Sequence, residues 1–127
     1  MTDVIRISTG SPFEKAFGYS HAIVKGGWCF VAGVTGYDYT TMKMPEGVAN
    51  QARNCFGAIN SALTEARFKM ADIVRVQYTL TDVDLVDELA PELGIAFGEI
   101  RPASTMVIAG LIKPEMLVEI EVTAFKG

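Results

Sequence analysis

Half of this 127-residue chain is apolar before its 12 glycines are counted, whereas ordinary domains reach roughly 45–50% with glycine included. A single domain of this length has no obvious use for the surplus, which points to an interface between copies of the chain. Eleven basic residues against fifteen acidic ones, a formal charge of -4 and no run of Lys or Arg exclude an electrostatic nucleic-acid platform. No stretch approaches the roughly 18 apolar residues of a membrane span, and the start lacks a basic-then-apolar leader. The expectation is one cytoplasmic domain over residues 1–127 with neither membrane nor nucleic acid as partner.

Val4 to Ile7 is β-prone, and Gly10 to Pro12 reads as a loop. Two β-branched runs flank Gly26-Gly27, the two-residue signal of a tight turn, which predicts a hairpin of strands 20–25 and 28–33. Residues 34–47 lack periodicity and read as a surface loop long enough to be functional. Val48, Ala52, Cys55, Phe56, Ile59, Ala62, Leu63 and Ala66 recur at helical spacing and predict a helix over about 47–66. The spacing then changes to two: Val74, Val76, Tyr78 and Leu80 share one side of a strand over 73–81, and Arg75, Gln77 and Thr79 share the other. Asp82 or Asp84 caps a second helix carrying Leu85, Leu89, Leu93 and Phe97, and Pro91 predicts a kink or a restart there. Strands over 103–109 and 116–125 close the chain, with Glu119 and Glu121 on one face of the last. This order predicts an α+β fold, a mixed sheet with two helices packed on one face.

Cys29 and Cys55 are far apart, without CxxC spacing, and read as buried free thiols of a reducing compartment. A single histidine, His21, gives no zinc signature, and no metal or other cofactor is expected. His21 itself reads as a solvent-facing loop residue.

The closing segment Arg101-Pro102-Ala103-Ser104-Thr105-Met106-Val107, followed by Val118-Glu119-Ile120-Glu121-Val122, resembles the C-terminal signature of the RidA (YjgF-like) reactive-intermediate deaminases. Gly18-Tyr19, Ala32-Gly33, Gln51-Ala52-Arg53 and Asp72-Ile73-Val74 resemble that family's pattern in the same order, over about residues 17–125. The resemblance implies a chorismate-mutase-like fold assembled as a homotrimer around a central barrel, with small-molecule clefts between subunits. It further implies hydrolysis of enamines or imines to keto acids and ammonia without a cofactor. In the family a Tyr closes the site, an Arg clamps the substrate carboxylate and a Glu on the last strand positions water.

Carried over residue by residue, the Tyr matches Tyr19 and the Glu matches Glu119, the candidate catalytic group, while Gly33 lines the same pocket. The Arg is replaced by Ser104, a pocket Ser by Ala32, an Asn by Ala90 and a pocket Cys by Met106. A hydroxyl donates one uncharged hydrogen bond where guanidinium gives two charge-assisted ones, and truncating such a buried pair costs roughly 2–5 kcal/mol. A small 2-imino acid is therefore expected to bind poorly. Arg75 and Arg101 are the candidate cationic substitutes. Arg75 lies on a strand face like that of Glu119, where a salt bridge to Glu119 or Glu121 is the competing reading. Arg101 is an odd number of residues from Ser104, which in an extended strand points it to the opposite face. Trp28, Phe30, Tyr37 and Tyr39 are expected to rim a larger pocket whose inner wall holds Ala32 and Met106, suited to a neutral or bulkier ligand. Two readings stay open: a hydrolase of C=N bonds, and a non-catalytic trimer that binds or senses a small molecule.

Overall fold

The strand spacing and the helical stripe resolve into one six-stranded sheet in a computed structural model that describes residues 3–127. Its elements are β1 (Val4–Ile7), α1 (Pro12–Phe17), β2 (Ala22–Lys25), β3 (Trp28–Thr35), α2 (Val48–Glu65), β4 (Ile73–Leu80), α3 (Val86–Phe97), β5 (Ala103–Ile108) and β6 (Val118–Phe125). The strands lie in the order β1-β2-β3-β6-β4-β5. Every neighbouring pair is antiparallel except β4 and β5, whose parallel pairing follows from the α3 crossover between them. No helix among the described residues is long and apolar enough to cross a membrane.

The hairpin forms as its turn residues dictate: Gly26 takes φ 59°, a conformation open to glycine at no steric cost. The helical stripe of α2 buries Val48, Ala52, Cys55, Ile59 and Leu63 against the sheet. The sheet answers with alternate residues of its central strands, Val31 and Val34 of β3, Val76 and Tyr78 of β4, and Ile120 and Val122 of β6. Cys29 and Cys55 are buried free thiols, as the sequence suggests.

Two helical features depart from the sequence reading. Pro91 does not restart α3 but sits inside it, with Asp82 capping a short 3-10 turn at Val83–Leu85 that leads into the helix. A proline in that position removes one backbone hydrogen bond. Packing of Leu89, Leu93 and Phe97 against the core outweighs the loss, and Phe97 meets Phe56 of α2 edge-on at 5.4 Å. The second departure is α1, a third helix that starts at the end of the expected Gly10–Pro12 loop and runs through residues to which the sequence assigned no element. Ser11 caps it by accepting a hydrogen bond from the Phe13 amide at 3.1 Å, Pro12 opens its first turn, and Gly18 closes it at φ 71°.

The sheet face opposite α2 and α3 carries Trp28 and Phe30 from β3, Arg75, Gln77 and Thr79 from β4, and Glu119, Glu121, Thr123 and Phe125 from β6. It is left open around Trp28, Phe30 and Phe125, each at least 40% exposed. Trp28 packs on Phe125 with ring centroids 4.5 Å apart, and both remain about 40% exposed. At the sheet's far edge, β5 is exposed along its whole length, Met106, Val107 and Ile108 included. Part of the exposed apolar surface lies here, in Trp28, Phe30 and Phe125 on the open face and Met106, Val107 and Ile108 on the edge.

Candidate functional site

One inserted residue shapes the site. Val31 pairs with Val122 and Val34 with Ile120, so β3 advances three residues where β6 advances two. The resulting β-bulge holds Ala32 and Gly33, with the Ala32 amide donating to the His21 carbonyl at 2.8 Å. Glu119 of β6 then folds its side chain across the bulge. A Cβ on residue 33 would lie 2.6 Å from both Cδ and Oε1 of Glu119, so only glycine leaves room for the carboxylate there. Burial raises the Glu119 pKa above the usual carboxylate value, and the neighbouring charge of Glu121 adds to the rise.

A cleft of about 310 Å³ opens in front of this carboxylate. Phe13 and Phe17 wall it from α1, Tyr19 follows that helix, and Tyr39, Ile112 and Met116 complete it with Thr35 at its floor. No Lys, Arg or His lines it. The aromatic wall is continuous: Phe17 stacks on Phe13 with centroids 6.1 Å apart, Phe13 reaches Tyr37 at 5.9 Å, and Tyr37 reaches Tyr39 at 6.3 Å. The Tyr39 hydroxyl lies 3.3 Å from the Thr35 amide, which donates to it. Burial raises the pKa of both Tyr19 and Tyr39, with Glu119 contributing to each. Both phenols therefore stay protonated and able to donate.

A six-residue helix is too short to hold itself together in water, and Glu14 supplies the anchor for α1. Its carboxylate accepts hydrogen bonds from the Ser8 hydroxyl at 2.7 Å, from the Thr9 amide at 2.9 Å and from the Thr9 hydroxyl. Burial alone would push its pKa up, but the hydrogen bonds from Thr9 and Ser8 more than offset it and the net shift is downward. Behind the cleft, the Tyr37 hydroxyl donates to Glu115 at 2.6 Å. Gln51, only 2% exposed, donates from Nε2 to the carbonyls of Pro45 and Glu115 and accepts the Leu117 amide on Oε1. These bonds fix the segment that delivers Met116 and then Glu119.

Of the residues singled out from the sequence, Tyr19, Ala32, Gly33, Tyr39 and Glu119 meet in this one cleft. The others lie elsewhere on the chain. Ala90 is exposed on α3, and Met106 is exposed on β5. Ser104 lines a separate recess of about 400 Å³ together with Tyr78, Phe97 and Arg101. It pairs with Val76 and so shares the helix-covered side of the sheet, whereas Glu119 is on the open side. Strand β4 also lies between β5 and β6, which sets the two roughly 10 Å apart at the usual spacing.

Several expectations need correction. Arg101 does not point away from Ser104: it precedes the strand at φ 54°, a left-handed turn that breaks the alternation and puts it in the same recess. Arg75 makes no ion pair with Glu119 or Glu121, and its Nη1 instead approaches Thr105 Oγ1 at 3.4 Å. His21 is buried rather than solvent-facing, with Nε2 3.4 Å from the Ala58 carbonyl, and burial lowers its pKa. It lines a distinct groove of about 370 Å³ beside α2 that holds none of the other catalytic or substrate-binding candidates. Trp28 and Phe30 lie on the open sheet face and not in the cleft, while Tyr37 stands behind its wall. Phe13 and Phe17 escaped the sequence reading altogether. The signal was present in Ser11-Pro12 and Gly18, a helix start and stop six residues apart.

A mixed six-stranded sheet backed by two long helices is the architecture of the YjgF/RidA proteins. A Mycobacterium tuberculosis member of the YjgF/YER057c/UK114 family has a solved structure that matches with a TM-score of 0.89 at 38% identity, over 98% of this chain and 100% of that one. RidA from an Antarctic Psychrobacter matches with a TM-score of 0.80 at 28% identity, over 85% of this chain and 88% of its own. An uncharacterized protein of Streptomyces coelicolor is 31% identical over 98% of this chain and 93% of its own length. The family model described as Endoribonuclease L-PSP matches residues 9–126, and the chain belongs to that YjgF/RidA family.

Proposed function

We propose that the protein is a cofactor-independent hydrolase of an enamine or imine of a small metabolite, with Glu119 as the group that orients and deprotonates water. The observation that carries this reading is the seating of Glu119 on Gly33, half-buried and with a raised pKa, at the floor of a cleft of metabolite size. A carboxylate of raised pKa is a stronger base than an ordinary one. In the proposed reaction the water oxygen bonds to the imine carbon as its proton passes to Glu119. The C=N π electrons move to nitrogen, which takes up a proton, and the carbinolamine collapses to a C=O group and ammonia.

The site is proposed to be completed by a neighbouring subunit of a homotrimer. Support comes from the exposed aromatics Trp28, Phe30 and Phe125 on the open sheet face, the bare β5 edge, and the division of the candidate residues into a β3/β6 group and a β5 group. The reducing interior of a cell suits two buried, unpaired thiols. The alternative reading, a trimer that binds a small molecule without turning it over, draws on Ser104 in place of a cation and on the absence of any basic side chain from the cleft. The test is decay of 2-iminobutanoate generated in situ. Acceleration by the protein that disappears in Glu119→Gln supports hydrolysis; equal rates with both proteins refute it. A monodisperse monomer in analytical ultracentrifugation at micromolar concentration would overturn the trimer.

A further inference from the structure

We infer that the cleft takes an uncharged, ring-sized group, so that the molecule processed is an imine or enamine with an aryl or similarly broad apolar side chain, and that α1 sets this preference through Phe13 and Phe17. The inference deepens the reading above. Its chemistry rests on Glu119 as the hydrolytic group, while its side-chain preference rests on the cleft alone.

Three observations point the same way. First, Phe13 and Phe17 are four residues apart on α1, which places them on one face of the helix, and their rings lie within 5° of parallel. Such a pair presents an aromatic wall, and Tyr39 and Met116 bound the same space. Planar groups stack well on rings, and a thioether adapts to their edges. Second, Phe17 is 63% exposed although it lines the cleft, so an apolar ligand has ring surface left to cover. Third, the polar groups in reach are few and confined to the floor: the Glu119 carboxylate and the hydroxyls of Tyr19, Tyr39 and Thr35. No cation of the same chain lines the cleft to recruit a charged side chain, and Glu119 repels an acidic one. The anchoring of α1 through Glu14 holds this wall in place before any ligand arrives, so little ordering cost is left for binding.

The probes are two imines made in situ by an amino-acid oxidase, one from phenylalanine and one from 2-aminobutanoate. Both carry the same carboxylate and differ only in a benzyl against an ethyl group. The expected kcat/KM ratio favours the aryl imine by roughly 30-fold or more, the scale of burying one additional ring. Phe17→Ala is expected to cut that ratio at least about 10-fold. Because Phe17 is exposed, its truncation leaves folding intact, which guards against a collapsed Phe13→Ala variant. Ile95→Ala, 80% exposed on α3, should leave the ratio alone. An ethyl imine hydrolysed as fast as the aryl one, or a ratio unmoved by Phe17→Ala, overturns the inference. Should neither imine be accelerated, the hydrolase reading fails by itself, and the side-chain preference is then decided by binding. Phenylpyruvate that perturbs the Phe13 and Phe17 resonances where 2-oxobutanoate does not upholds it, and no difference between the two refutes it.

Discussion

Replacing Gln51 by leucine keeps the side-chain volume and removes three hydrogen bonds. The amide spans 3.2 Å to the Pro45 carbonyl, 3.0 Å to the Glu115 carbonyl and 2.9 Å from the Leu117 amide, in a position 2% exposed. The Gln51→Leu substitution would leave two carbonyls and one N–H without partners. The backbone cannot close over the gap from the other side, because Gly36 already packs so tightly that a Cβ there would lie 2.5 Å from the Gln51 Cβ. An unpaired buried polar group costs about 1–3 kcal/mol, carbonyls being the better tolerated, so a total loss of about 3 kcal/mol is expected. For a chain of this length each kcal/mol moves Tm by about 4 °C, which makes the fall about 12 °C. Urea and thermal unfolding of both proteins at one fixed concentration would measure it, since assembly makes Tm concentration-dependent. A loss below about 1 kcal/mol would refute the idea that Gln51 latches the start of β6. The same variant should loosen Met116 and Glu119, and with them any activity of the cleft.

Gly33→Ala should displace the Glu119 carboxylate while sparing the fold. Misplacement by about 1 Å costs about 100-fold in rate, so imine hydrolysis should drop by that order in a variant with near-native circular dichroism. Glu119→Gln should raise Tm at neutral pH. The folded-state pKa of Glu119 lies above its unfolded value, so its contribution to stability is present in acid and is lost as pH rises through the folded pKa. The gain should therefore vanish below the ordinary carboxylate range in a pH series of thermal melts. For His21 the folded pKa is lowered by burial, so its contribution is intact above the ordinary histidine value of 6.5 and is lost as pH falls through that value toward the folded one. His21→Gln should flatten the stability profile between about pH 7 and pH 5, as measured by urea midpoints.

The helix α2 and the strands β4 and β6 were legible because each repeats its apolar signal several times. Val48 to Leu63 shows more than four turns of one stripe, and Val118 to Ala124 alternates without a break. α1 offers fewer than two turns, so only its caps could betray it. Alternation likewise carries no warning of an inserted residue, and the bulge at Ala32 and Gly33 was invisible for that reason. Arg101 failed in a related way: the face argument assumes extended backbone, and a φ of 54° just before β5 resets the count. Pro91 shows packing overruling a local preference. Glu119, Gly33 and Tyr19 were reached through resemblance, but the contact that explains why residue 33 must be glycine needs the fold.

The sequence of β5, Ala-Ser-Thr-Met-Val-Ile, carries no charge, no proline and no bulge along an exposed outer edge. Strands that stay at a sheet edge usually bear such guards, because unpaired backbone amides and carbonyls accept any passing strand. This one is unprotected from the moment the chain folds. Left without a partner, such an edge is a site where aggregation is expected to start. A lysine placed at Val107 would exchange that hazard for solubility, and would sacrifice whatever the edge is kept bare to join.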